Sequence, residues 1–204
     1  MHPALGLPIS YLVGSIPAAL IAGKLLRGID LREHGSGNLG ATNVLRTLGP
    51  AVAAPVLAFD AMKGFLPAFV LPLAIPSSRP DVWAITYGIA AIVGHVRPIF
   101  LLGRGGGKGV ATTAGVMAAL APVQFVIAFA IFAIVVAVTR YVSLASIVAA
   151  ATLPFVLLLR RPASPVLIAF GVFIAGFVIW THRSNIARLV RGEESRLGHR
   201  TGGT

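Results

Sequence analysis

The stretch VATTAGVMAALAPVQFVIAFAIFAIVVAVT, residues 110–139, contains no charged side chain. An α-helix needs about 20 apolar residues to cross the ~30 Å hydrocarbon core of a bilayer, so this stretch is too long for one straight membrane helix. Proline interrupts helices because it lacks the backbone N–H and its ring clashes with the preceding turn. Pro122 is the natural break, and we predict a short helix over 110–121 and a second helix over 122–139.

Composition extends this interpretation to the whole chain. Hydrophobic residues make up 56% of the 204 residues and charged residues 11%, whereas soluble domains are about 25% charged. So few charges cannot cover the surface of a soluble domain, which excludes that class. A disordered chain is also excluded, because disorder requires low hydrophobicity. We therefore predict an all-α polytopic integral membrane protein with a single membrane domain over 1–204. Its seven predicted transmembrane helices are 3–23, 51–75, 82–102, 110–121, 122–139, 144–159 and 165–180.

The basic residues predict how the chain is oriented. Lys and Arg number 17 against 6 Asp and Glu, and the cytoplasmic loops of membrane proteins are rich in Lys and Arg. With the N-terminus outside and the C-terminus cytoplasmic, only Arg79, Arg160 and Arg161 fall in outer loops. We adopt this orientation. We expect the basic loops to face anionic lipid headgroups, and we do not expect nucleic acid as a partner.

Polar residues gather on the predicted cytoplasmic side. The three longest polar sequences are GSGNLGATNVLRTLG (35–49), GHVRPIFLLGRGGGKGVATT (94–113) and WTHRSNIARLVRGEESRLG (180–198). With a short fourth sequence around RYVSLAS, the predicted cytoplasmic segments are 24–50, 94–113, 140–146 and 180–198. Because all four segments converge on one membrane face, we expect the functional site there.

The first segment contains a G-x-G-x-x-G pattern at Gly35, Gly37 and Gly40. In a dinucleotide-binding fold this pattern follows a strand, whereas here the polar IDLREH precedes it, so we reject that interpretation. Glycine-rich backbone nevertheless turns successive N–H groups toward an anion. The neutral donors beside it are Ser36, Asn38, Thr42 and Asn43. The alternative is a tight turn at the membrane interface.

The second segment contains GRGGGKG, residues 103–109, which differs from a P-loop. A P-loop has Gly six residues before its Lys and Ser or Thr after it, and here Leu102 and Gly109 occupy those positions. Nucleotide hydrolysis is therefore not predicted. Glycines flanked by Arg104 and Lys108 suit a bound phosphate. The alternative is a flexible basic loop at the lipid surface.

The remaining polar residues leave alternatives open. His182 and Asn185 are three residues apart and share a helical face, where a headgroup or capping contact is the alternative to a catalytic role. Asp60 and Lys63, spaced i, i+3 within a span, are interpreted as an ion pair facing the bundle interior. The five His residues show no metal-ligand spacing, so no metal is expected, and no strong general base is evident.

Six motifs together carry a resemblance to a known family. In order they are GSGNLGATNVLR, FDAMKG, GHVRP, GGKGVAT, YVSL and HRSNIARL. The chain resembles the bacterial acyl-phosphate:glycerol-3-phosphate acyltransferases, the PlsY family. The resemblance implies seven spans in the bacterial plasma (inner) membrane with a cytoplasmic active site. It also implies acyl transfer from acyl phosphate to the sn-1 hydroxyl of glycerol 3-phosphate, the first step of phospholipid synthesis, with no cofactor or metal.

Residue roles follow from the same resemblance. The catalytic residues would be Ser36, His182 and Asn185. The substrate-binding and phosphate-binding residues would be Gly35, Gly37, Asn38, Arg46, Gly106, Gly107, Lys108, Gly109 and Ser143. Glu194 would be structural, and we place Asp60 and Lys63 as structural residues near the site. The family usually has Phe-Lys before Gly-Gly-Lys, whereas Arg104-Gly105 stands here.

An activated mixed anhydride makes a protein general base less necessary. We expect an oxygen of the donor phosphate to accept the hydroxyl proton, giving lysophosphatidate and phosphate. The expected partners are the two substrates and membrane lipids, and the expected oligomeric state is a monomer. Two other classes of function are weighed against this one: a transporter or channel for an anionic solute, whose site would lie nearer the bilayer midplane, and a basic membrane scaffold.

Overall fold

The computed structural model describes residues 2–159, 162 and 164–198. Over these ranges the chain is helical, with no strand. Short 3-10 helices occupy Pro3–Leu5 and Ile99–Leu101. The α-helices are α1 Gly6–Ser15, α2 Ala18–Arg27, α3 Ala41–Leu48, α4 Pro50–Ala74, α5 Pro80–Val96, α6 Val110–Leu120, α7 Pro122–Thr139, α8 Val142–Leu158, α9 Pro165–Thr181 and α10 Arg183–Val190.

Proline marks where several helices begin. Pro50, Pro80, Pro122 and Pro165 are the first residues of α4, α5, α7 and α9. A proline at this position costs no hydrogen bond because the first helical N–H groups have no intrahelical partner. The long uncharged stretch is divided at the residue that the sequence indicates, since α6 ends at Leu120 and α7 begins at Pro122.

Within the described ranges, four helical segments are long and apolar enough to cross a membrane. They are Pro3–Arg27, Pro50–Ala74, Pro80–Leu101 and Pro122–Thr139. The pair α9 and α10, bent by 60° at His182, makes a fifth if it is taken as one span, while α6 and α8 are shorter apolar helices. The all-helical membrane class is confirmed. The count of seven and the orientation stay predictions, and Arg160 and Arg161 lie outside the described residues.

The described helices form two compact units, one ending at Ala121 and the other beginning at Pro122. The single membrane domain over 1–204 stays a prediction. In the second unit, α8 packs against both α7 and α9, and α10 contacts α8 and α9. Its buried apolar side chains include Leu153, Leu157, Phe170 and Ile174.

Glycines bring the helix backbones of the first unit into direct contact. Where α1 crosses α5, Gly14 lies against the backbone of Ala91 and Gly94 lies against Tyr11. Where α4 crosses α6, Gly64 lies against Thr112 and Gly115 against Ala61. Small residues permit such close approach between membrane helices. These crossings hold the end of α5 and the start of α6. The glycine-rich loop, residues 103–109, lies between them in the chain.

The first polar segment has a small core of its own. Leu31 and Val44 are fully buried with Ala19, Leu39, Ala53 and Val56. These residues come from α2, α3, α4 and the loop between α2 and α3. The core therefore fixes this loop on the helices on either side of it.

Candidate active site

Asn43 on α3 organises the loop that contains Ser36. Its Nδ2 donates to the carbonyl oxygens of Leu31 at 3.1 Å and His34 at 3.0 Å. Its Oδ1 accepts from the Ser36 N–H at 2.9 Å. Gly35, at φ 61°, lies directly against the Asn43 carboxamide and leaves no room for a Cβ. The Ser36 backbone is therefore held while its side chain is exposed.

Asp30 and Arg32 stiffen the same loop. The Asp30 carboxylate accepts from Arg32 Nε at 3.0 Å, from Nη2 at 2.7 Å and from the Arg32 backbone N–H at 3.0 Å. These hydrogen bonds hold the pKa of Asp30 well below its usual range and raise the pKa of Arg32. Gly37, at φ 68°, packs on the Arg32 carbonyl, and Gly105 packs on the Arg32 side chain. Arg32 thus touches both glycine-rich segments.

A direct hydrogen bond joins these two segments. Asn38 Nδ2 donates to the Gly106 carbonyl oxygen at 3.2 Å. The Gly107 N–H donates to the His95 carbonyl oxygen at 3.1 Å. Neither glycine has room for a side chain, because Gly106 lies against the backbone of Val96 and Gly107 lies against the His95 ring. The glycine-rich loop is therefore seated on the end of α5.

The basic residues assigned to this unit flank the two glycine-rich segments. Arg46 lies on α3 with an exposed side chain. Lys108 is half-buried and follows Gly107 directly. Gly109 adopts φ 81° immediately before α6, a left-handed conformation that glycine adopts without steric cost. The chain therefore turns from Lys108 directly into a helix.

Asp60 and Lys63 form a buried ion pair in the first unit. Their charged atoms are 2.7 Å apart, and their side chains are 2% and 3% exposed. Lys63 Nζ also donates to the Ile16 carbonyl oxygen at 3.0 Å. The pair lines a small cleft together with His95, Gly106 and Gly107. His95 was not expected from the sequence at this position, and its Nδ1 lies 3.6 Å from Asp60 Oδ1.

Glu194 is the centre of the second unit's polar cluster. Its Oε1 accepts from Ser143 Oγ at 2.7 Å and from Asn185 Nδ2 at 2.6 Å. Its Oε2 accepts from Arg188 Nε at 2.7 Å. Burial alone would raise the pKa of Glu194, but these hydrogen bonds outweigh it and hold that pKa below its usual value. One carboxylate therefore connects α8, α10 and the segment that follows α10.

His182 lies at the bend between α9 and α10 and is buried. Its Nδ1 donates to the Val178 carbonyl oxygen at 2.8 Å. A carbonyl oxygen only accepts hydrogen bonds, so Nδ1 carries a proton.

The segment after Glu194 folds back on the start of α8. The Leu197 N–H donates to the Arg140 carbonyl oxygen at 2.7 Å, and Arg196 Nε donates to Tyr141 Oη at 3.1 Å. The Arg196 guanidinium also lies over the Tyr141 ring, 5.2 Å from its centre. These contacts hold Glu194 beside Ser143.

The structure brings the assigned residues together in two groups, one within each unit. The first unit gathers Ser36, Asn38 and the loop 106–109, and the second gathers Ser143, Asn185 and Glu194. Sequence reasoning missed the organising role of Asn43 and the presence of His95. Asn43 lies in the GSGNLGATNVLR motif and His95 in the GHVRP motif, and these positions were the only indication that the sequence offered. Among the described residues, no three His, Asp or Glu side chains cluster as metal ligands.

Known proteins match this chain over almost its full length. The family model for glycerol-3-phosphate acyltransferase matches residues 4–192. The glycerol-3-phosphate acyltransferase of Trichlorobacter lovleyi is 49% identical over 189 residues, which cover 92% of this chain and 94% of that protein. The enzyme of Gloeobacter violaceus is 44% identical over 93% of this chain and 92% of its own length.

Solved structures agree in fold. The crystal structure of PlsY, an integral membrane glycerol 3-phosphate acyltransferase, in its glycerol 3-phosphate form has a TM-score of 0.87 and 37% identity, covering 96% of each chain. Its lysophosphatidic acid form has a TM-score of 0.85 and 36% identity, covering 96% of this chain and 95% of the other.

Proposed function

This chain belongs to the glycerol-3-phosphate acyltransferase family, whose solved member PlsY is an integral membrane enzyme, and we propose that its acyl donor is acyl phosphate. It transfers the fatty acyl group to the sn-1 hydroxyl of glycerol 3-phosphate and produces lysophosphatidate and phosphate. It works as a monomer in the bacterial plasma membrane, with its active site facing the cytoplasm.

The hydrogen bond from Asn38 to Gly106 is the observation that best supports this proposal. It joins the GSGN segment to the GGKG loop in one unit, so two stretches of glycine-rich backbone lie together. Backbone N–H groups in such stretches favour anions. The proposed donor and acceptor each carry a phosphate group, which is the chemistry that paired anion-binding loops suit.

The reaction requires one bond to form and one to break. The acceptor hydroxyl oxygen attacks the carbonyl carbon of acyl phosphate and forms the new ester bond. The bond from that carbon to the phosphate oxygen breaks, and the phosphate takes the electron pair. An oxygen of the same phosphate accepts the hydroxyl proton, because phosphate monoesters have a second pKa of about 6. No protein general base is needed in this scheme.

Ser36 and the backbone amides of the loop that contains it stabilise the departing phosphate in this mechanism. The Ser36 N–H donates to Asn43, which holds the backbone that carries the hydroxyl. Donors that are oriented before the reaction stabilise developing charge without a reorganisation cost. Arg46 adds positive charge there, and Gly35 and Gly37 supply further backbone donors. Lys108 and the loop 106–109 hold the phosphate of glycerol 3-phosphate.

His182 and Asn185 orient a phosphate or the acceptor in this mechanism. Asn185 Nδ2 donates a 2.6 Å hydrogen bond to Glu194 Oε1, and Ser143 Oγ donates a 2.7 Å hydrogen bond to the same oxygen. Glu194 is therefore a positioning residue in this scheme. Asp60 and Lys63 remain structural residues of the first unit.

Inorganic phosphate release tests the proposed donor. Purified protein in lipid is given glycerol 3-phosphate with palmitoyl phosphate, and palmitoyl-CoA serves as the parallel donor. We expect release that depends on both substrates, with no acyl transfer from the CoA thioester. Transfer from palmitoyl-CoA alone would contradict the donor assignment. If well-folded protein released no phosphate, labelled-phosphate counterflow in liposomes would test the transporter alternative.

A further inference from the structure

The His95 side chain is enclosed between Asp60 and the glycine-rich loop. It lies at the end of α5 with its side chain 5% exposed. On one side, Nδ1 lies 3.6 Å from Asp60 Oδ1 on α4. On the other side, Nε2 faces Gly107 so closely that even a Cβ on Gly107 would collide with the ring. The imidazole therefore fills the space between a buried carboxylate and the glycine-rich loop.

An Asp–His pair beside a cleft suggests a general base, but the geometry opposes that role. A general base must lie within hydrogen-bond reach of the proton that it abstracts. The Gly107 backbone lies against the ring at Nε2, which leaves little room for a substrate hydroxyl at that nitrogen. Nδ1 faces Asp60, whose Oδ1 also pairs with Lys63 at 2.7 Å. The ring thus has protein on both of its nitrogen sides.

The same residue also holds the loop through its backbone. The His95 carbonyl oxygen accepts from the Gly107 N–H at 3.1 Å. Gly106, adjacent in the chain, lies against the carbonyl oxygens of His95 and Val96. Ring and backbone of one residue therefore set the position of two consecutive glycines, and Lys108 follows them immediately.

We infer that His95 is a positioning residue that, held against Asp60, sets the backbone at Gly106 and Gly107 and thereby places Lys108 for the phosphate of glycerol 3-phosphate. This inference rests on the proposed function, which assigns that phosphate to the loop. A functional group that shifts by about 1 Å costs as much as about a hundredfold in activity. Removal of the ring is therefore expected to weaken binding of glycerol 3-phosphate and to leave binding of the acyl donor unchanged.

Steady-state phosphate release, with each substrate varied in turn, tests the inference. We expect His95→Ala to raise the KM for glycerol 3-phosphate by about tenfold to a hundredfold, with the KM for palmitoyl phosphate little changed. His95→Gln places an amide near the position of Nε2 and is expected to recover most of the loss. His2→Ala is the matched control, because His2 is exposed and its ring lies beside Ala4 and Trp83, and it is expected to behave as wild type.

A second pair of variants keeps the test independent of His95→Ala alone. Gly107→Ala introduces a methyl group against the ring and is expected to raise the same KM. In the double variant His95→Ala/Gly107→Ala the ring is absent, so the methyl group has nothing to collide with. Its KM for glycerol 3-phosphate is therefore expected to be no higher than that of His95→Ala. If the KM increases of the two single variants multiplied in the double variant, the inference would be overturned. An unchanged KM for glycerol 3-phosphate in His95→Ala would also overturn it. If the wild-type protein released no phosphate, the proposed function would fail first.

Discussion

Ser143 Oγ donates a 2.7 Å hydrogen bond to Glu194 Oε1, between residues 51 positions apart in the chain. Asn185 donates to the same carboxylate oxygen. The two bonds therefore connect the YVSL motif to the HRSNIARL motif through Glu194, which belongs to neither. A carboxylate accepts several hydrogen bonds at once, which makes Glu194 suited to orient both side chains.

Glu194→Gln is expected to lower activity by more than tenfold and to destabilise the second unit. The amide replaces one acceptor oxygen with a donor, so a buried partner is left without a hydrogen bond, at a cost of about 1–3 kcal/mol. Glu193→Gln is the matched control, because the Glu193 side chain pairs with Arg191 on the exposed surface, where such pairs contribute ~0–1 kcal/mol. Phosphate release and thermal unfolding measure both effects. Equal behaviour of the two variants would contradict the role of Glu194.

The lowered pKa of Glu194 predicts how stability depends on pH. A carboxyl whose pKa is lower in the folded protein than its ordinary 4.5 stabilises the fold above that value, and the contribution is lost as pH falls through the folded pKa. The difference in thermal midpoint between wild type and Glu194→Gln is therefore expected to be constant above about pH 5 and to shrink below about pH 4.5. A difference that grows on acidification has the opposite sign and contradicts the prediction.

Ser36→Ala separates chemistry from folding at the first motif. Loss of one preoriented donor costs about 10²–10³ in rate, and the exposed Ser36 side chain contributes little to packing, so activity is expected to fall while the thermal midpoint stays unchanged. Asn43→Ala removes three hydrogen bonds that order the loop, so activity and thermal midpoint are expected to fall together. Near-normal turnover in Ser36→Ala would exclude its proposed role.

Gly115→Ala is expected to destabilise the first unit by about 1–3 kcal/mol, because overpacking at a tight contact forces the neighbouring backbone to move. Gly115 lies directly against the Ala61 backbone where α4 crosses α6. Gly176→Ala is the control: this glycine is exposed on α9, and no described atom lies within 4 Å of its added Cβ. Replacing it is expected to be neutral or to stabilise the helix by up to about 1 kcal/mol. Thermal unfolding in detergent compares the two, and equal midpoints would contradict the prediction.

Several features of the site could be anticipated from individual motifs. The glycine-rich segments and the i, i+3 spacing of Asp60 and Lys63 were visible as local patterns. His95 stood in the GHVRP motif, but nothing in its neighbours indicated that Asp60 lies 3.6 Å away. Asn43 similarly looked like one more neutral donor, whereas its carboxamide is fully used by the loop that it organises.

The sequence alone determined the membrane class, the helical content and the break at Pro122. These properties depend on hydropathy and on the covalent geometry of proline, which act within about 20 residues. Tertiary structure decided which side chains meet: His95 with Asp60 and Gly107, Ser143 with Glu194, and the glycines at the helix crossings. The helices α4 to α9 are apolar almost all round, so periodicity does not indicate which of their faces contacts a neighbour. Those contacts depend on close packing between distant segments.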